Sequence, residues 1–399
     1  MRILLTNRVL EGRTGTETHL RDLALGLKAR GHEVAVAAPR LGELARALAA
    51  EGIPGVADPF DLPWTPDLIH GHHAEETLTA LAACPGVPGL FVVHDAGAWH
   101  DAPPRHPRLL RYYAVDEACA DRIREAGLPV AGLLPNAVDL ARFRPRGPLP
   151  AQPRRALVFS NYAKPGNHLK VIRAACRAAG LPLDVVGEGV GRFAEAPEAL
   201  LGDYDLVFGK ARCALEAMAT GCAVILCDFA GFGGLVTSER VAALRPLNFG
   251  RRALAAPIEG PALLAAIRAY EAADAARVAA WAREEASLER LLDRVEAAHK
   301  ELREAAAAQP TPDPRAEARA LVTQLQAQAR AAGARRDREL LRQLGQLRKT
   351  LWAGGLVAVG LALALALDAA PWLALAGGLG LAFVGSRVVR RFHRLRPKG

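Results

Sequence analysis

Two short stretches hold most of the side chains that could do chemistry. In "GKARCALEAMATGCAVILCD" (209–228), Lys210 and Arg212 precede a helix that carries a single carboxylate, Glu216, among small and apolar residues. Gly221 ends the helix, and a continuous apolar run follows and stops at Asp228. In "HGHH" (70–73), His70 and His72 fall on one strand face at chelate-like spacing. His94 in "VVHD" could approach them, but no Cys or acidic residue has matching spacing, so no metal is expected. "GEGVG" (187–191) lacks the GxGxxG spacing and the later ribose acid of a dinucleotide fingerprint, which argues against a dehydrogenase.

These residues need elements to hold them. "MRILLTN" reads as a strand, "RVLEGRTGTE" as a polar Gly-containing loop, and "THLRDLALGLKARG" as a helix with Leu20, Leu23, Ala24 and Leu27 on one face. "HEVAVAAP" is the next strand, so the order is βαβ and the sheet is expected to be parallel. Alternation continues through helices near 42–51, 75–83 and 116–126 and the strands "PDLIHGHH", "GLFVVHD" and "VAGLLPN". Gly15, His70, His72, His73, His94 and Asn136 are then expected at strand carboxyl ends, where such sheets bind ligands. The Pro/Arg-rich 142–155 reads as a linker. "ALVFSN", "NHLKVIRAACRAAG", "LPLDVVGEG" and "YDLVFGK" repeat the βα alternation. The expected class is therefore α/β: two doubly wound Rossmann-like domains, 1–145 and 155–285, with a cleft between them.

With 399 residues, 51% of them hydrophobic, the chain can fill two cores and is not disordered throughout. Its net charge of +9 is local. Residues 315–399 hold 15 Lys/Arg against 4 Asp/Glu, while 1–314 hold 36 against 38. A basic tail beside an acidic body fits a membrane surface, and no nucleic-acid partner is expected. Six cysteines without CxxC spacing read as small core residues in a reducing compartment, and no signal peptide is visible.

Taken together, "GTETHLRDLALGLKARGHEVAV", "DLIHGHH", "FVVHD", "LLPNAVDLARFRP", "VVGEG" and "ALEAMATGCAVILCD" resemble the GT-B glycosyltransferases, within them the retaining family 4 type, over roughly residues 1–305. The resemblance implies a metal-independent, hexosyltransferase-like enzyme that needs no cofactor and uses a nucleotide sugar as donor. Glu216 would accept from the ribose hydroxyls, since one carboxylate can take two neighbouring hydroxyls. Ala214, Ala217, Ala219 and Gly221 would let the sugar approach, and Gly187 and Gly189 would line the base pocket. Gly15 would allow close backbone approach to diphosphate or acceptor, and His94 would face the donor sugar. Lys164, Lys210 and Arg212 would stabilise the departing diphosphate. Two departures stand out. Phe208 occupies the place of a second acidic residue, and "SNYAKPG" has no Arg where relatives place one. These leave open a weakened GT-B-like scaffolding subunit; nothing supports a phosphorylase, for which no phosphate or pyridoxal phosphate site is legible.

The tail has its own pattern. "ASLERLLDRVEAAHKELRE" reads as a closing helix (286–308) that packs back toward the first domain. "AQPTPDP" breaks the chain before a charged helical segment, 315–349. Residues 351–367 and 372–386 are uncharged and would each span about 23–26 Å as helix, against a hydrocarbon core of about 30 Å. Asp368 and Pro371 separate the runs, and Arg and Lys flank both outer ends. The expectation is a transmembrane hairpin at 350–387 and a basic tail at 388–399, with the enzyme on the cytoplasmic side of the membrane. Membrane lipids and a lipid-linked or glycan acceptor follow as expected partners. "PRHPRLLRYY" (104–113) reads as a solvated basic-aromatic loop and helix, or a surface for lipid head groups.

Overall fold

The computed structural model describes residues 1–310 except 13, 14 and 195, residues 312–330 except 328, and residues 339, 341–346 and 349. The expected hairpin and the basic tail lie outside the described residues. Two compact units are present, 1–321 and 322–399. All that follows concerns the first. Among the described residues no helix is long and apolar enough to cross a membrane.

The first half runs β1 (Arg2–Thr6), β2 (Val9–Leu10), α1 (Gly15–Ala29), β3 (Glu33–Ala37), β4 (Arg40–Leu41), α2 (Glu43–Ala50), β5 (Gly55–Val56), β6 (Leu68–His72), α3 (Ala74–Ala83), β7 (Gly89–Val93), β8 (Leu109–Ala114), α4 (Glu117–Glu125) and β9 (Gly132–Leu133). β2 and β4 pair separately, and the other strands form one parallel sheet in the order β5-β3-β1-β6-β7-β8-β9. The apolar stripe of α1 fixes its orientation: Leu20, Leu23, Ala24 and Leu27 are all buried against the sheet. Gly31, at φ +84°, takes the left-handed position that stops the chain after α1.

β8 corrects the reading of 104–113. Its residues are a sheet strand, with Leu109, Tyr112 and Tyr113 buried, so no lipid-facing helix stands there. Arg108, just before it, is buried as well. Its guanidinium donates to the carbonyls of Leu81, Cys84 and Val87 around the end of α3 and reaches Glu317 at 2.9 Å. A basic run thus hides a strand because Arg108 caps the end of α3 and is a buried ion-pair partner.

The second half holds β10 (Ala156–Phe159), α5 (His168–Ala178), β11 (Leu183–Val186), α6 (Pro197–Leu201), β12 (Leu206–Gly209), α7 (Ala211–Thr220), β13 (Ala223–Asp228), β14 (Gly231–Leu235), α8 (Val241–Leu244), α9 (Gly260–Arg268) and α10 (Ala272–Glu285). The sheet order is β11-β10-β12-β13-β14, parallel except for the β13–β14 pair. The segment expected as a linker is packed: Phe143 is fully buried in the second core, and Arg146 pairs with Asp205 at 2.9 Å.

α11 (Leu288–Ala307) packs on the first half. Arg30 binds Glu289, Asp293 and Glu296, His32 meets Glu296 at 2.8 Å, and Tyr113 donates to Glu301. The helix ends before the proline cluster, and helix resumes at 314.

Candidate active site

In the second half, the site is built where four parallel strands end. Beyond β10 lie Ser160–Lys164, beyond β11 the Gly187–Gly189 turn and beyond β12 Lys210, while β13 ends at Asp228 with Phe229 beyond it. Lys210 is the N-cap residue of α7. Its Nζ lies 2.8 Å from Asp228 Oδ2 and over the rings of Tyr162 (5.1 Å) and Phe229 (5.6 Å). Those two rings are exposed and 5.3 Å apart, which forms an open aromatic face beside a cation. Lys164 is exposed in the loop after β10, where Asn167 accepts from its backbone N–H. Phe208 is buried in the core, so no side chain there can replace an acid.

Arg212 and Glu216 are not open to solvent. One helical turn apart on α7, they pair at 2.7 Å, and Arg212 also reaches Asp22 of α1. Arg21 adds a contact to Asp22 at 2.7 Å, and Arg142 stands 3.8 Å from it. Burial pushes the Glu216 carboxyl above its ordinary range against the pull of Arg212. Burial works against the Arg212 charge too, but Glu216 and Asp22 outweigh it and hold the guanidinium protonated. Asp22 is driven up by burial, yet Arg212 and Arg21 together bring it below the ordinary value. This network ties the two halves together, and sequence reasoning missed Asp22: it lies off the apolar stripe of α1, and its partner comes from 190 residues away.

The small residues around Glu216 do a different task from the one expected. Ala214, Ala217 and Ala219 are fully buried in the second core. Gly221, at φ +103°, terminates α7 at the end remote from Lys210 and so lies away from the converging strand ends. Gly187 and Gly189 are required by backbone contact. A Cβ on Gly187 would lie 2.0 Å from the Ser160 carbonyl oxygen, and one on Gly189 2.3 Å from that of Ala163. These glycines clamp the β11 turn onto the loop after β10. Gly15, by contrast, opens α1 with nothing within 4 Å of where a Cβ would sit.

In the first half, imidazoles collect at β6 and β7. His70 and His72 share a strand face, as their spacing requires, and stack at 4.8 Å. His72 Nδ1 meets His94 Nε2 at 2.5 Å, and His19 of α1 packs edge-on to both. His70 is not at a strand end. It lies mid-strand and meets His299 of α11 at 2.9 Å. Burial holds His19, His70, His72, His94 and His299 neutral, lowering His19 to about 4 and His299 to about 3. Among the described residues, the group able to bring metal-ligand atoms together is His73, His100 and Asp101, within 4.8 Å of one another. The Arg8 guanidinium, 3.1 Å from His100 Nδ1, opposes a further cation there. Asn136 does sit between the halves: its N–H donates to Asn248, and its carbonyl accepts from Arg245.

Comparison with known proteins fits this plan. Residues 13–142 match Glycosyltransferase Family 4. A HepE structure from Anabaena, solved with UDP and glucose, is 16% identical, covers 75% of this chain and 99% of its own, and superposes with a TM-score of 0.56. A glycosyltransferase from Rickettsia africae is 14% identical over 75% of this chain and 98% of its own, with a TM-score of 0.55. These two likenesses are of fold: two Rossmann-like halves of GT-B type. Among curated proteins none matches the chain. The match over residues 13–142, on this scaffold, supports an enzyme, a glycosyltransferase.

Proposed function

We propose that the chain transfers a sugar from a nucleotide-sugar donor to a membrane-linked acceptor, with retention of configuration, in envelope polysaccharide, lipopolysaccharide or glycolipid assembly. The observation that carries the donor side is the convergence of Lys210, the Tyr162–Phe229 face and the Gly187–Gly189 turn at the carboxyl ends of β10 to β13. Lys210 and Lys164 take the diphosphate, with Lys210 at the N-cap of α7 adding the positive end of that helix. The HepE protein was solved with UDP, which supports a uridine nucleotide as the first donor to test. Glu216 takes the ribose hydroxyls once the donor draws Arg212 from its pairs with Glu216 and Asp22. The acceptor hydroxyl attacks the anomeric carbon on the face the diphosphate leaves. The leaving oxygen takes the hydroxyl proton, so no protein nucleophile is used. Positioning and charge stabilisation are what the protein contributes.

The acceptor is placed at a membrane by the uncharged runs 351–367 and 372–386 with their basic flanks, read as an anchor that keeps the enzyme on the cytoplasmic side. A scaffolding subunit without turnover is the second reading. It draws on Phe208 and on the neutralisation of Arg212 by two carboxylates. The test is transfer of labelled sugar from UDP-sugars into the lipid fraction of membranes containing the chain. Incorporation that falls at least tenfold in Lys210→Ala supports the enzyme. Equal incorporation with and without the chain supports the scaffold.

A further inference from the structure

A cation at the seam between the two halves has no carboxylate of its own. Arg245 directly follows α8, and its Nη1 donates to the carbonyl of Asn136 in the first half at 2.7 Å. Asn248 holds the same residue: its Oδ1 accepts from the Asn136 N–H at 3.1 Å. Among the described residues Arg245 makes no ion pair, and its Nε is buried without a partner. Burial, and then the charge of Arg294 on α11, lower the Arg245 guanidinium to about 10. Glu285 pulls the other way, but it is taken by Arg290 at 2.7 Å. Arg294 is exposed and also makes no ion pair among the described residues. A cation withdrawn from water without a partner is costly until an anion joins it. The backbone beside it is held against its preference. Asn248 and Phe249 sit at φ +52° and +51°, in the left-handed region. The Phe249 carbonyl accepts at 2.7 Å from the N–H of Ala211, the first residue of α7, which is itself at φ +49°. Such strain persists where the surroundings over-determine it, and it concentrates at ligand sites. These bonds tie Asn248 to the start of the helix that Lys210 caps.

We propose that Arg245 and the Asn248 amide form a phosphate subsite between the halves, with Arg294 adding charge from α11. Arg245 and Asn248 grip the same residue, which brings their remaining donors together. Nη1 of Arg245 stays on Asn136, and Nη2 has no partner among the described residues and takes a phosphate oxygen. With its Oδ1 turned to the Asn136 N–H, Asn248 offers its Nδ2 donors to a second oxygen. Two arginines that no acid neutralises suit the charge of a phosphate. A transferase meets phosphate in two places, the diphosphate of its donor and the phosphate of a phosphorylated acceptor. Assigning the bound group to either substrate rests on the transferase reading, whereas the site rests on the geometry around Asn136.

The test uses the full chain in detergent and reads binding by calorimetry. The probes are inorganic phosphate, UDP and glucose 1-phosphate, with glucose as the uncharged control. Arg245→Gln, which can still donate to the Asn136 carbonyl, should weaken phosphate at least tenfold. Arg294→Gln, at an exposed position that cannot disturb the fold, should weaken it about threefold. Lys300→Gln makes the same charge change elsewhere on α11 and should leave phosphate binding unchanged. A loss in Arg245→Gln that extends to UDP identifies the donor diphosphate, and one confined to glucose 1-phosphate and phosphate identifies the acceptor. If Arg245 only ties the halves, Arg245→Gln melts lower but binds phosphate as before, which overturns the subsite. Unchanged phosphate binding in Arg294→Gln, with Arg245→Gln unchanged or unfolded, overturns it too. No binding of UDP to the unaltered chain, with phosphate still bound through Arg245, overturns the donor reading and leaves the subsite standing.

Discussion

A methyl group on Gly187 would sit 2.0 Å from a carbonyl oxygen, at a residue whose φ is +152°. Neither the backbone nor the loop after β10 can yield cheaply. Gly187→Ala should therefore cost roughly 2–4 kcal/mol and lower the melting temperature by several degrees. Gly15→Ala is the contrasting case: with open space around it, stability should stay within about 0.5 kcal/mol while sugar transfer falls. Thermal melts of both variants with a transfer assay check the pair. The contrast also marks what single residues disclosed. The glycines of "GEG" were legible as special, but their reason, contact with another backbone, is a tertiary fact. Gly221 was legible as a helix terminator, and its supposed ligand role disappears because α7 places it at the wrong end.

Elements were easier to read than their partners. Period-3.6 and continuous apolar runs marked α1, β3, β6, β7, β10, β12 and β13 because each buries its own stripe or both faces. β8 was missed because Arg108 precedes it and Arg111 lies within it, and the Arg108 charge is spent on the α3 end and on Glu317. Arg108→Ala should cost roughly 3–5 kcal/mol, since it leaves helix-end carbonyls and a carboxylate without their partner. Glu317→Gln, which keeps a hydrogen-bond acceptor, should cost roughly 1 kcal/mol. If the two variants melt alike, the clamp is not what holds residue 317 to the first half.

At the scale of the whole molecule, the buried imidazoles set a pH dependence. Unfolded, each titrates near 6.5; folded, burial lowers His19 to about 4 and His73 and His299 to about 3. Below 6.5 the unfolded chain binds protons that the folded chain refuses. Stability is therefore complete above about 6.5 and is lost as pH falls from there toward 3. Melting temperatures between pH 8 and 5 should drop steadily below 6.5, and a flat profile would contradict neutral burial. The contact that joins the halves through Asp22, Arg212 and Glu216 was invisible in the sequence, where Glu216 stood alone. That is the usual limit: spacing reveals which face a residue takes, not which distant chain segment meets it.

The central claim is that the converging strand ends of the second half hold a nucleotide sugar and that Glu216 takes part. The most direct measurement is a screen of nucleotide sugars for thermal stabilisation of the detergent-purified chain, with Glu216→Ala beside it. A ligand that binds only the native state raises its melting temperature by mass action. The account predicts that one nucleotide family, UDP-sugars first, raises the melting temperature of the unaltered chain by several degrees and that of Glu216→Ala by none. No shift with any nucleotide in a chain that still melts cooperatively would contradict it.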